Sequence, residues 1–502
     1  MSNQSNATRS QTPEAVTGVQ LAQGIGHLPT QGFWAEAWGQ VLKRPGAILG
    51  LTWVAIVAFF AIFAPFIASG HPFIVRTLDA QRGVVSTQFP LFAQLTATDI
   101  LLVIGTFAAI PWFVLRLRTS MSERLGTAIM LSVQSGIAVV LAAIVRAVVT
   151  GRDVSDTTRQ LEQAAWFGSA VASVAAAIAA LCVFWLVPLR TMTARIGAVS
   201  ITAVVLGVVI GGTWTVPLEQ FDYRQLQAAG GVQTVHTLIP FSPNEGTTDR
   251  DLAPPLTTLA AQVGPEEAAL FAKSDDRFLL GTDSLGQDVL SQMMHACRLS
   301  ISIGLVSTAI SVVIGVTVGA LMGYFGGWVD LLLYRVVEIF MAVPVLFLLI
   351  VAAAVLPRNT YVMMAIIGCV AWTGSARFVR AEFFKLRNQD FVQSARAVGL
   401  PLRSILFKHM LPNGVTPVLV DASFAIAAAI LAEAVLSFLG LGPANQASWG
   451  RLLSEATNQV GDFKPWLAIF PGLAIFLTVL SYNLIGEAFR DAIDPKLKKA
   501  RV

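Results

Sequence analysis

Ten apolar runs, each long enough to cross a bilayer, constrain this chain more than any other feature. They cover about residues 46–68, 98–117, 125–147, 163–188, 194–216, 299–323, 331–356, 361–379, 416–440 and 466–487. A helix of roughly 20 apolar residues spans the hydrocarbon core of a membrane. The runs therefore predict an all-α polytopic membrane protein with about ten transmembrane helices. Composition agrees: 55% of the 502 residues are hydrophobic and 13% are charged, against roughly 25% charged in soluble domains.

Charge orients the spans. Lys43 and Arg44 precede the first run, which predicts a cytoplasmic N-terminus. Alternation then puts "RLRTSMSER" (Arg116 to Arg124), "LRTMTAR" (Leu189 to Arg195), the segment 380–415 and the tail "DPKLKKARV" on the basic, cytoplasmic side. The stretch 217–298, rich in Asp and Glu, falls outside. One loop, around Arg146, Arg152 and Arg159, runs against this trend and is offset by Asp153, Asp156 and Glu162. Net charge is only +4, and no basic face on a soluble fold offers itself to nucleic acid. The first apolar run comes too late, and is too long, for a cleavable signal peptide, and reads as a retained anchor.

The organisation is uneven. A cytoplasmic tail (1–45) leads to one span (46–68), an external segment (69–97) and a block of four spans (98–216). An external polar stretch (217–298), five further spans (299–487) and a cytoplasmic tail (488–502) follow. The block is rich in Ala and Val with short connections, which predicts helices packed through small residues. Its even number of spans means that inserting it inverts nothing downstream.

Between two spans of the C-terminal half runs "QSARAVGLPLRSILFKHMLPN", Gln393 to Asn413. Phe391, Val392, Ala395 and Val398 share one helical face. Asn388 or Asp390 can cap that helix, and Gly399 can end it with positive φ. Pro401 suits the start of a second helix, whose Leu402, Ile405, Leu406, His409 and Met410 share a face. Arg403 and Lys408 lie off that face, and Pro412 marks a stop. Two readings stay open: an interfacial helix with its cations toward lipid phosphates, or a docking element for another protein.

Other positions carry less. "GTDSLGQD" spaces Gly281 and Gly286 like a phosphate loop, but Gln287 and Asp288 stand where Lys and Ser or Thr would be needed. Asp283 or Ser284 is expected to cap the helix that follows. Glu433 sits inside an apolar run, where a carboxylate faces a polar path or bonds a neighbouring helix. Arg335 and Glu338 are spaced for an intrahelical pair. Pro344 and Pro471 can bend their spans. His295 and Cys297 are too few for zinc, and Cys182, Cys297 and Cys369 form no disulfide framework. No catalytic motif is present.

The basic segment resembles the EAA loop of ABC-importer permeases, E-A-A-x-x-x-G with a later Leu-Pro. Here the matching residues are Gln393, Ser394, Ala395, Gly399, Leu411 and Pro412, with Gln393 in place of the leading Glu. "FLLGTDSLGQDVLSQMM" (Phe278 to Met294), "AILAEAVLSFLGLG" (Ala429 to Gly442) and "SWGRLL" (Ser448 to Leu453) extend the likeness. So do the blocks Phe33 to Ala68 and Pro465 to Pro495. All are similar to the C-type permease of dipeptide, oligopeptide and nickel importers, whereas the stretch from about 75 to 240 departs from the common short form.

The resemblance implies a type I importer core of six spans, the first and the last five, with the four-span block as an accessory. It implies that Gln393, Ser394, Ala395, Arg396, Gly399, Leu400, Pro401, Lys408, His409, Leu411 and Pro412 form the ATPase-coupling loop. On its own chemistry Glu433 is expected to line the translocation path or its gate, or to bond a neighbouring helix, and the resemblance puts Asp283, Gly286 and Asp288 at an external gate or binding-protein contact. The implied partners are a second permease, two ATP-binding subunits or domains, an extracytoplasmic solute-binding protein and the bilayer of a bacterial cytoplasmic (inner) membrane. ATP and Mg belong to the partner ATPases, and this chain is expected to hold no cofactor, no metal and no enzymatic site. The expected solute is a short peptide, with nickel or another small solute as the alternative. A stand-alone, ion-driven transporter would favour inverted repeats, and none is visible.

Overall fold

A computed structural model describes residues 33–78, 84–114, 121–149, 157–189, 191–212, 223–228, 232–246, 250–261, 276–443, 446–458 and 463–493. The two terminal tails, Arg116, Arg118, the loop of Arg152, Asp153 and Asp156, and residues 262–275 lie outside them, as do the side chains of Arg146, Arg159 and Glu162.

Every apolar run is helical. In order these are α1 (Pro45–Ile67), α2 (Ala97–Val114), α3 (Met121–Val149), α4 (Thr157–Phe184), α5 (Met192–Gly212) and α6 (Val289–Phe325). Then come α7 (Gly327–Ala342), α8 (Val345–Val355), α9 (Thr360–Ala371), α10 (Thr373–Leu386), α11 (Asp390–Ala397), α12 (Thr416–Phe438), α13 (Trp449–Asn458) and α14 (Pro465–Ile493). Among the described residues, seven helices are long and apolar enough to cross a membrane, and nine if each bent pair counts as one span. The described part of α4, Ala170–Phe184, is a shorter apolar helix.

Two expected spans are not straight. The run 331–356 is α7 and α8, set at 83° to one another. Pro344 supplies the break: its φ is −56° and it lacks an N–H, while Val343 before it is extended, as a residue preceding proline tends to be. The run 361–379 is α9 and α10, bent by 42° at Trp372.

The core is built around α6. Gly315, Gly319 and Gly323 recur every fourth residue and lie against α10. A Cβ at Gly319 would come 2.5 Å from the Ala376 carbonyl oxygen, and one at Gly315 would come 2.7 Å from the Ser375 Cβ. Only glycine lets these two backbones approach so closely, a geometry that van der Waals packing rewards inside membranes. On other faces of the core, Gly50 of α1 packs on Ser481 of α14, and Gly304 of α6 packs on Ile430 of α12.

In the four-span block, Ala138, Ala142, Ala172, Ala176 and Ala179 are buried with Leu206 and Ile210. One polar lock ties the block to the core. Asp99, at the start of α2, pairs with Arg298 of α6, whose Nε also donates to the Ala61 carbonyl of α1 at 2.9 Å.

Short strands add to the helical plan at one end of the molecule. β1 (Ile74–Leu78) lies between β2 (Val84–Gln88) and β3 (Val232–Val235), antiparallel to both, with Val75 opposite Gln88 and Ile74 opposite Val235. The chain thus leaves one small sheet to make the four-span block and returns to the same sheet afterwards.

Candidate coupling surface and the opposite end of the core

The segment 390–414 covers the end of the core where α6 and α10 finish. In α11, Val392 and Ala395 are buried against Val379, Phe383 and Leu386 of α10 and against Ile405, Leu406 and Met410. Phe391 and Val398 share the predicted apolar face yet are 39% and 78% exposed. A helix of eight residues lying on one cluster buries only the i, i+3 pair that touches it, and the flanking apolar residues stay open. The N-cap is Gln389 and makes no side-chain bond, so neither Asn388 nor Asp390 caps the helix. Asp390 is a first-turn residue, where its charge suits the helix dipole.

Gly399 closes α11 with φ +77°, and Leu400 N–H donates to the Ala395 carbonyl at 3.1 Å. Pro401 (φ −65°) then starts the second helical stretch. Leu402–Ser404 lead into a π-helical turn, Ile405–Met410, then into Leu411–Gly414 and α12. Pro412 therefore does not stop the helix. The N–H of Leu411 reaches back five residues to Leu406, and Pro412 falls in the first turn of the next segment, where no donor is needed.

The outward surface of this loop carries Phe391, Val398, Leu402 and Phe407 among exposed Gln393, Ser394, Arg396, Arg403 and Lys408. Pro401 and Pro412 are also exposed, while Leu400, His409 and Leu411 are half-buried. Arginines fasten the loop and its support. The Arg396 guanidinium lies 4.5 Å from the Tyr324 ring centroid, and Arg387 stacks on Phe384. Arg380 grips Asp330 of α7 with Nε and Nη2 at 2.5 and 2.8 Å, and also lies over Tyr334. The pairs Arg396–Tyr324 and Arg380–Tyr334 escaped the sequence reading because their partners are distant in the chain, whereas Arg387 and Phe384 stand at a legible i, i+3 spacing.

At the opposite end, the turn 281–288 is a structural knot. Asp283 is buried, with Oδ1 accepting from Leu285 and Gln287 N–H and Oδ2 accepting from Gln292 Nε2 at 2.6 Å. The cap of α6 is Asp288, whose Oδ2 accepts from Ser291 N–H at 2.7 Å, rather than Asp283 or Ser284. Asp283, Gly286 and Asp288 are all buried, and both carboxylates hold backbone N–H groups. Leu285, 53% exposed, is what the turn presents.

Arg451 of α13 joins this knot through Gln287 Oε1 at 3.0 Å and Glu455 Oε1 at 3.5 Å, and Ser284 Oγ donates to Glu455 Oε2. Burial, with Asp283 adding to it, pushes the Glu455 carboxyl above the usual glutamate range. Glu433 is fully buried, and its Oε1 accepts from Ser437 and Ser448 at 2.7 and 2.8 Å. A cleft of about 180 Å³ lies beside those serines, lined also by Arg358, Gln446 and Arg451. Arg335 and Glu338 form the expected pair at 2.6 Å. His295 Nε2 bonds the Ala68 carbonyl at 3.0 Å, and Cys297 donates to Met293. Among the described residues, no three His, Cys, Asp or Glu side chains converge as metal ligands.

Comparison with known proteins fits this layout. Residues 315–499 match the family model described as binding-protein-dependent transport system inner membrane component. Residues 32–82 match the N-terminal TM domain of oligopeptide transport permease C. The oligopeptide transport system permease protein OppC of Haemophilus influenzae is 41% identical over 217 residues, which are 43% of this chain and 70% of that one. The dipeptide transport system permease protein DppC of Alkalihalophilus pseudofirmus is 37% identical, over 43% of this chain and 72% of that one. The glutathione transport system permease protein GsiD of Pectobacterium atrosepticum is 40% identical, over 44% and 73%. Among solved structures, the inward-facing MetNI methionine ABC transporter covers 39% of this chain and 96% of its own. Its identity is 16% and its TM-score 0.32, a superposition too loose to bear on function. Through its first span, its last spans and the ordered relatives that share them, the chain belongs to the family of inner-membrane permease components of binding-protein-dependent ABC transport systems.

Proposed function

We propose that this chain is one of two permease subunits of an ATP-driven importer of short peptides. The observation that carries the reading is the 390–414 surface: a two-part helical element seated on the ends of α6 and α10, with apolar and basic side chains turned outward. The names of the relatives, which transport oligopeptides, dipeptides and glutathione, support a peptide as the solute.

The proposed mechanism is a population shift. Two ATPase subunits carrying ATP and Mg close below the membrane, and the loop converts that closure into an outward-facing path. Arg396, Gly399, Lys408 and their neighbours are what the ATPase grips, and the buried side of the loop passes the movement to α6 and α10. A second permease completes the path and an extracytoplasmic binding protein delivers the peptide. Both termini and the loop lie on the cytoplasmic side, and the 281–288 turn, the small sheet and α13 lie outside. The 243–288 stretch, with Leu285 exposed, offers the binding-protein contact, and Glu433 holds the junction of α12 and α13 beside the external cleft.

Purification of tagged protein from native membranes in mild detergent tests this. A second permease and chains with Walker motifs are expected in the complex, followed by ATP-dependent peptide uptake once the binding protein is added to proteoliposomes. A chain that emerges alone and transports without ATP overturns it.

A further inference from the structure

We propose that Asp421, held by Ser375, is the point at which this subunit's half of the path grips a positively charged ammonium of the transported solute. The inference rests on the importer reading and adds to it a specificity-determining residue.

Asp421 is the sixth residue of α12, an otherwise apolar span with only one other acid, Glu433. The two acids differ in environment. Glu433 is fully buried and bonded to two serines, whereas Asp421 is half-buried, at the surface between α12 and the start of α10. Its Oδ2 accepts from Ser375 Oγ at 2.6 Å, which fixes the orientation of the carboxylate. Among the described residues it makes no ion pair. Arg377 is two residues beyond Ser375, on another face of α10. Beside the carboxylate stands Gly374, where a Cβ would lie 3.7 Å from Oδ1. Gly374 itself places no side chain over the carboxylate.

The surface around it has a recognisable composition. Asp421, Phe424, Ala428 and Leu431 follow one another at i, i+3, i+7 and i+10, a single face of α12, with Phe424 and Leu431 37% and 47% exposed. Val418, Ala427 and Ile430 of the same helix are buried, while Leu419, on another face, is 38% exposed. A carboxylate on a span does not face lipid, because an unpaired charge in hydrocarbon is too costly. In the assembled importer this face therefore borders the water-filled path. A mostly apolar lining tolerates solutes with varied side chains, and one anchored acid then selects for a group they share. For a peptide that group is an ammonium, either the α-amino terminus or a lysine side chain.

The test uses the complete complex with its binding protein. Asp421→Asn is compared with wild type on three peptides: a neutral one with a free N-terminus, a lysine-containing one, and a neutral one with an acetylated N-terminus. Taking the variant-to-wild-type ratio for each peptide removes the binding protein's own preferences. Loss of a charge-assisted contact is expected to cost about tenfold in kcat/KM. A loss for both free-amine peptides but not the acetylated one assigns the α-amino group, and a loss confined to the lysine peptide assigns the side chain. Asp421→Glu should restore part of the activity. Equal effects on all three peptides, or none, overturn the proposal; equal loss with a dissociated complex would make Asp421 a partner's counter-ion.

A labelling arm decides the placement without any substrate. With Cys182, Cys297 and Cys369 replaced by Ala, Asp421→Cys should react with a charged, water-soluble thiol reagent far faster than Val208→Cys, at an exposed apolar position of α5. Equal rates would sink the path-facing placement. If wild-type complex imports none of the peptides, the importer reading fails, while the labelling still reports whether Asp421 meets water.

Discussion

The Arg396 guanidinium sits over the ring of Tyr324, 4.5 Å from its centroid, and so pins the helix 390–397 to the end of α6. The two residues are far apart in sequence and join the outward loop to the longest helix of the core. Arg396→Ala should leave insertion and expression unchanged, since a partly exposed cation–π contact is worth only about 0.5–1 kcal/mol. Peptide uptake per ATP hydrolysed should nevertheless fall several-fold, because the loop can then move without moving α6. Arg396→Lys should recover part of the coupling, since an ammonium keeps the charge but not the planar stacking. Measured uptake-to-ATPase ratios check this.

Gly399 makes a ranked prediction. Its φ is +77°, and a Cβ there would meet nothing within 4 Å, so backbone strain and not crowding decides the outcome. Asn tolerates this conformation better than Ala, and Pro cannot adopt it. Uptake should fall in the order Gly399→Asn, Gly399→Ala, Gly399→Pro, with membrane levels of the first two near wild type and the last inserted but inactive. Normal uptake by Gly399→Pro at normal expression would refute the role of the joint.

The Asp99–Arg298 pair carries a stability prediction. Asp99 is nearly buried and Arg298 is about a quarter exposed, so removing either leaves a charge in a poor environment. Asp99→Ala should cost about 2–3 kcal/mol of stability in detergent, at the lower end for a buried pair because Arg298 keeps some solvent. The double variant Asp99→Ala, Arg298→Met should cost less than the sum of the single ones. Thermal unfolding of wild type and the three variants gives the coupling directly.

How much of this was legible in the sequence varies by element. All ten apolar runs are helices, because length and hydropathy report what lipid demands. The bends at Pro344 and Trp372 were less visible: proline signals a possible break, but the 83° angle depends on what α7 packs against. Gly315, Gly319 and Gly323 stand at a spacing the sequence shows openly, and the small-residue pattern of helix pairs could have found them. In the loop, Gly399 was readable from its type alone. The exposure of Phe391 and Val398 was not, since periodicity marks a face without saying whether anything covers it. Asp283 was misread as a cap because Asp288, five residues on, competes for the same role and only the turn geometry decides. Asp421 went unremarked because a lone acid near a helix end looks like an ordinary boundary residue until Ser375 is placed beside it.

Glu455 predicts a pH dependence. Burial and the neighbouring Asp283 raise its carboxyl above the ordinary value of 4.5. A raised acid binds more protons folded than unfolded, so its contribution to stability is fully present below pH 4.5 and is lost as pH rises through the higher folded value. Glu455→Gln keeps an acceptor for Ser284 and removes the titration. The variant's stability should therefore change less with pH above 4.5 than wild type does. Parallel curves would contradict the assignment.

The most direct test of the coupling account is a cross-link from Val398, the most exposed apolar residue of the loop at 78%. Val398→Cys is made with Cys182, Cys297 and Cys369 replaced by Ala, and a short bifunctional thiol reagent is applied to native membranes with and without ATP. The account predicts a cross-linked product between this chain and an ATPase bearing Walker motifs, with a yield that changes when ATP is bound. Cross-linking only to lipid-proximal neighbours, or no ATPase product under either condition, would contradict it and leave the loop as an interfacial helix.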